Sequence, residues 1–217
     1  MSAHGRVVAA RVLAAAGAVF WGFLWFGVLT ARPGAPVALA QLTVVSLAVV
    51  VGGLWAGALP QLWTGLGLGL TAAGLAWLGR GRLVDRRAPD PVLAVLAVVA
   101  LPAAVAYGVP LARHTPFLPD ITNGVSHDPM QGSLALAVVG LVGLAAVTRS
   151  WLPAWTAAFS ALWLGVESAV YPDLRASLGV AGGTLCVGWA ALVCVAVARA
   201  RRRTPAGAVR ERVAGTR

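Results

Sequence analysis

Stretches of about twenty apolar residues recur along nearly the whole of this chain, and that recurrence restricts its fold more than any motif in it. Such a stretch is the length an α-helix needs to cross the hydrocarbon core of a bilayer. Lipid offers no hydrogen bonds, so each segment must satisfy its own backbone, and a helix does so. Seven stretches qualify, at residues 8–30, 37–58, 61–79, 91–112, 132–148, 152–171 and 177–199. The first continues through FWGFLWFGVLT, beyond the short apolar core of a cleaved signal peptide, and reads as a retained span. The sequence therefore predicts an all-α integral membrane protein. Its expected form is a polytopic bundle of seven transmembrane helices in one domain over residues 1–200, with a basic, disordered tail at 201–217.

The charges set the orientation. Only 11% of the residues are charged, and the net charge is +10. The arginines stand between apolar segments and in the tail RARRRTPAGAVRERVAGTR rather than on one folded face, so no nucleic-acid partner is expected. The loop carrying Arg80, Arg82, Arg86 and Arg87 and the end carrying Arg199, Arg201, Arg202 and Arg203 belong in the cytoplasm by the positive-inside rule. Seven spans then leave the N-terminus outside and the C-terminus cytoplasmic, and of the 17 arginines only Arg6, Arg11, Arg113 and Arg175 fall on the outer side. Arg6 and Arg11 flank the first span there. With the N-terminus inside instead, one of the tightly joined second and third segments would not cross, leaving six spans. The expected location is the cell membrane. Arginine without lysine, beside abundant Ala, Gly, Val and Pro, is the bias of a GC-rich genome and points to a bacterial source.

The sixth span, PAWTAAFSALWLGVESAVYPD, holds the densest set of functional groups. Thr156, Ser160, Trp163, Glu167 and Tyr171 follow at steps of three and four, hence on one helical face. A carboxylate within a span points into the bundle or a wet cavity, so this stripe is expected to line the interior. Glu167 is then a candidate general acid at the wall of a pocket, or a shallow residue paired with Arg175 or Arg113. Asp173, Asp128 and His127, all on the outer side, are candidates to complete a proton path. Trp163 with Trp21 or Trp25, the latter two four residues apart, can build an aromatic pocket that stabilises positive charge, with Ser160 and Tyr171 as further substrate contacts. Plain packing or lipid contact is the alternative for these indoles.

The polar island ARHTPFLPDITNGVSHDPMQG contains the outer loop 113–131, long enough to serve as a lid or to bind a protein partner. His114, Asp120, His127, Asp128 and Met130 offer ligand atoms, but in no compact spacing, so neither a metal nor another cofactor is expected. Cys186 and Cys194 lie about 12 Å apart along one helix, too far to bridge. Small-xxx-small spacings at Gly53/Gly57, Gly65/Gly69 and Gly179/Gly183 allow close helix packing. No nucleophile elbow, phosphate loop, intramembrane lysine or paired intramembrane histidines occur, which counts against hydrolases, ATPases and retinal proteins.

About seven spans, with acids at one end of an aromatic-lined bundle, is a plan similar to that of small membrane-embedded terpene cyclases, an analogy of architecture alone. The leading expectation is an intramembrane enzyme for acid-catalysed cyclisation or isomerisation of an isoprenoid-like or lipid-like substrate, in an aromatic-lined pocket open to the outer half of the bilayer. The alternative is a non-catalytic permease or membrane-complex subunit whose outer loop binds a partner. For topology, a phosphatase reporter fused after Thr122 should be active outside the cell and one fused after Arg217 inactive; the reverse pattern would invert the orientation.

Overall fold

The structure, a computed structural model, describes residues 36–78, 88–113, 127–173 and 176–202. These form six α-helices of 20 to 24 residues: α1 (Pro36–Ala56), α2 (Leu59–Leu78), α3 (Pro91–Arg113), α4 (His127–Thr148), α5 (Trp151–Val170) and α6 (Gly179–Arg202). Four of them, α1, α3, α4 and α6, are long and apolar enough to cross a membrane, which marks a membrane protein. The expected span at 8–30, residues 203–217 of the expected tail and residues 114–126 lie outside the described residues, and Arg201 and Arg202 of that tail belong to the last turn of α6.

Local chemistry sets where each helix stops. At Gly57 (φ 62°) the amide donates to Leu54 O and the Ala58 amide to Gly53 O, closing α1 in a Schellman turn that folds α2 straight back. The second and third expected segments are thus a helical hairpin, and of its two arms α1 is among the four helices apolar enough to span. Asp90 caps α3: its Oδ1 accepts from the amides of Val92 and Leu93 at 3.0 and 3.1 Å, with Pro91 in the first helical position, where its missing N–H costs nothing. Arg149 ends α4 in the left-handed conformation (φ 51°), its amide on Ala145 O and its Nε on Ala88 O at 3.1 Å, so only Arg149 and Ser150 separate α4 from α5.

Helix α4 is the centre of the bundle, packed on α1, α3 and α5; α6 packs on α5 and α3, and α2 on α1. Its Val142 and Ala145 have no exposure at all, and buried residues surround it. A helix apolar on every side belongs in such a position. The core is made largely of alanine and valine, and the closest crossings fall at glycines. A Cβ on Gly108 would stand 3.3 Å from the Cα of Gly132, and one on Gly165 would stand 2.7 Å from Gly183 O. Gly65, one of the expected small-residue positions, faces the backbone of Val50 in the same way.

The bounds of the expected outer loop need correcting. Helix α4 begins at His127, so residues 127–131 of the expected outer loop 113–131 are helical and Arg113 is the last residue of α3. The His-Asp-Pro string within that expected loop opens a helix, because proline in a first turn removes only an amide that has no partner there. For the packing, Gly165→Ala should lower stability by about 1–3 kcal/mol through backbone overlap, whereas Gly143→Ala, whose Cβ meets nothing within 4 Å, should be neutral or gain about 0.5–1 kcal/mol. Denaturant titration of the purified protein measures both, and equal losses would remove the close crossing as the cause.

Candidate functional site: a crease between α1, α4 and α5

Intramembrane polar side chains need internal partners, and they lead to the site. Gln41 on α1 is buried and its Nε2 donates to Thr156 Oγ1 on α5 at 3.1 Å. Gln61 on α2 reaches past α1 and donates to Ser133 Oγ on α4 at 2.6 Å and to Val49 O at 3.3 Å. Between these two amide–hydroxyl pairs runs a crease lined by Val45 and Val49 of α1, Ser133, Val138 and Leu141 of α4, and Thr156 and Ser160 of α5. The hydroxyl of Thr156 donates to Leu152 O and that of Ser160 to Thr156 O, so both oxygens keep acceptor capacity. Gln41 lies one turn before Val45, and its Oε1 has no donor among the described residues.

The cavity in the crease is about 30 Å³. One or two waters, or the end of a slender chain, fill that volume; a site enclosing a whole drug-sized ligand takes roughly 300–1,000 Å³. The walls of this crease are aliphatic, with the Met130 thioether and three hydroxyls, and Trp21 and Trp25, two of the expected aromatic walls, lie outside the described residues.

The polar stripe of α5 is placed at the flank of its buried face. Ser160 is buried at 2% exposure, Thr156 and Glu167 are half-buried, and Trp163 is 37% exposed on the outward side. Trp163 trails Ser160 by about 60° around the helix, which carries the indole beyond the α1–α5 contact. Tyr171 follows the last turn, half-buried, its amide on Glu167 O at 2.9 Å, and Asp173 is exposed in the turn beyond. That turn is held by Tyr107 on α3, whose hydroxyl donates to Ala176 O at 2.6 Å, and by Ser168, whose oxygens accept from Ser177 and Leu178. His127 and Asp128 open α4 in backbone only; their side chains, like Trp21, Trp25, Arg175 and His114, lie outside what is described. Among the described residues no three His, Cys, Asp or Glu side chains gather as a metal site would need.

The other tryptophans separate by depth. Trp63 near the Gly57 turn and Trp77, Trp151 and Trp155 at the opposite end are half-exposed or more, as residues of an interfacial belt are. Trp189, an interior indole the belt does not explain, donates Nε1 to Leu96 O at 3.2 Å and ties α6 to α3.

Sequence reasoning missed Gln41, Gln61 and Ser133. A glutamine inside an apolar run was the available signal, because its amide must find a partner there. Neither a family of known proteins, nor a characterised protein, nor a solved structure matches this chain. For the outer pair, Ser133→Ala should cost about 1–3 kcal/mol by depriving the Gln61 amide of an acceptor, and adding Gln61→Leu should recover part of it. A double-mutant cycle measures the coupling; strict additivity would mean the pair contributes nothing jointly.

Proposed function

We propose that this is a multi-pass cell-membrane protein that takes one end of a lipid-like or isoprenoid-like molecule sideways from the bilayer into the α1–α4–α5 crease and moves a double bond farther along it by proton transfer at Glu167. The observation that carries the reading is the arrangement along α5: Ser160 lies inside the crease, and Trp163 and Glu167 follow on the same flank within two turns. In this reading the Gly57 turn, Asp173 and the start of α4 face outward, and Arg149 and Arg199 face the cytoplasm, in keeping with the positive-inside rule.

The size of the crease favours isomerisation over cyclisation. A cyclase must fold its whole substrate within an enclosed contour, and about 30 Å³ holds only an end. For isomerisation, the O–H bond of the Glu167 carboxylic acid breaks as a C–H bond forms on an alkene carbon. Positive charge develops at the neighbouring carbon beside the face of Trp163. Loss of a proton from the adjacent carbon to the Glu167 carboxylate regenerates the acid and moves the double bond, with no further reactant. Tyr171 and Asp173 at the end of α5, with His127 and Asp128 at the start of α4, are the groups through which the proton exchanges with water. Trp21 and Trp25 remain proposed further walls. A second reading, a non-catalytic permease or complex subunit with residues 113–131 as its partner site, is favoured by the same small volume.

Mass spectrometry of small molecules retained by gently purified protein separates the two. A specific isoprenoid or lipid that accumulates in Glu167→Gln relative to wild type is the expected result. Identical bulk lipid in both samples would overturn the catalytic reading and leave the subunit reading.

A further inference from the structure

Gln41 is nine-tenths buried, at 7% exposure, yet only half of its amide is used. Its Nε2 is held by Thr156 Oγ1, while Oε1 has no donor among the described residues. Turning the amide over does not help. Thr156 commits its hydroxyl proton to Leu152 O at 2.9 Å, so an oxygen turned toward it would meet an oxygen and the amide nitrogen would lose its acceptor. A buried acceptor without a donor is destabilising, and the partner of Gln41 is itself a lining residue of the crease. The opposite end is closed differently, for there Gln61 donates to both Ser133 and Val49.

We propose that Gln41 is an anchoring residue for a hydroxyl group, so that the ligand of the crease is a slender long-chain alcohol whose O–H donates to Gln41 Oε1 while its apolar body runs past Val45 and Ser160 toward Trp163. This rests on the reading of the crease as a site for lipid-like molecules and adds the chemical class of the molecule's end. The crease is aliphatic and takes only the hydroxyl-bearing end of one such chain, whose remaining body lies along the flank of α5 beyond it. From Thr156 to Glu167 is about 16 Å along α5, so an alcohol held at Gln41 presents carbons well along its chain, not its hydroxyl, to the Glu167 carboxyl. An alkane or an ether of the same length fills the crease equally but brings no donor.

The test uses full-length protein in nanodiscs equilibrated with dodecanol, dodecane or dodecyl methyl ether, with bound molecules counted by native mass spectrometry. Wild type should retain dodecanol about tenfold over the other two, the ratio that one hydrogen bond to a buried acceptor supports. In Gln41→Leu and Gln41→Met that preference should vanish while apo-protein unfolding temperature stays level or rises, because the orphaned acceptor is gone. Glu167→Gln should keep the preference. Equal retention of all three molecules by wild type, or an unchanged preference in both Gln41 variants, would overturn the anchor and leave apolar binding in place. Retention of none would overturn the anchor together with the lipid-binding reading on which it rests.

Discussion

Backbone-to-backbone contact at glycine is the interaction on which the bundle depends. In lipid an apolar side chain gains little by leaving its surroundings for a neighbouring helix, so helices associate through close packing and hydrogen bonds. Gly108 against Gly132 joins α3 to α4, Gly165 against Gly183 joins α5 to α6, and Gly65 against Val50 joins α1 to α2. At such distances short side chains bridge: Ser46 Oγ donates to Gly65 O at 2.7 Å, and a Cβ on Gly69 would stand 2.9 Å from that hydroxyl oxygen. The same closeness leaves little empty space. The crease lies where α1 and α4 present the branched side chains of Val45, Val49, Val138 and Leu141 instead of glycine.

Much of this plan was legible in the sequence, because its signals are local. The period and length of the apolar runs gave the described helices to within a few residues, and the Asp90–Pro91 and Gly57 signals mark their boundaries through capping chemistry that neighbours alone determine. His127 to Met130 failed for a related reason: a His-Asp-Pro string opens a helix as readily as it makes a turn, and the apolar run that decides begins only afterwards. The alternation of the six helices follows from connections as short as Gly57–Ala58 and Arg149–Ser150.

The candidate site was legible in period and not in phase. Steps of three and four put Thr156, Ser160, Trp163 and Glu167 on one face of α5, and they do share one. Which way that face points depends on alanines between them. Ala154, Ala157, Ala158 and Ala161 are the buried centre, since small side chains permit contact with α4 and α6, and the polar stripe is turned to the flank. Gln41 and Gln61 carry a signal as glutamines within apolar runs, but what they pair with was not legible. Their partners lie 115 and 72 residues away in sequence, and no periodicity encodes a contact between two helices.

The two glutamines make the crease a defined place instead of a packing accident. Each is long enough to cross to another helix, and each ends on a hydroxyl rather than on a second amide, so the pair resists collapse at both ends. Their difference carries the consequence. Gln61 has two acceptors for its amide nitrogen and closes its end, whereas Gln41 has one partner and leaves a carbonyl oxygen uncommitted. A core designed only for stability would carry leucine at 41, because an apolar side chain of that size leaves no acceptor unsatisfied. Retaining the amide there is costly unless a donor arrives, and the crease adjoins it through Thr156, which is both a lining residue and the partner of Gln41.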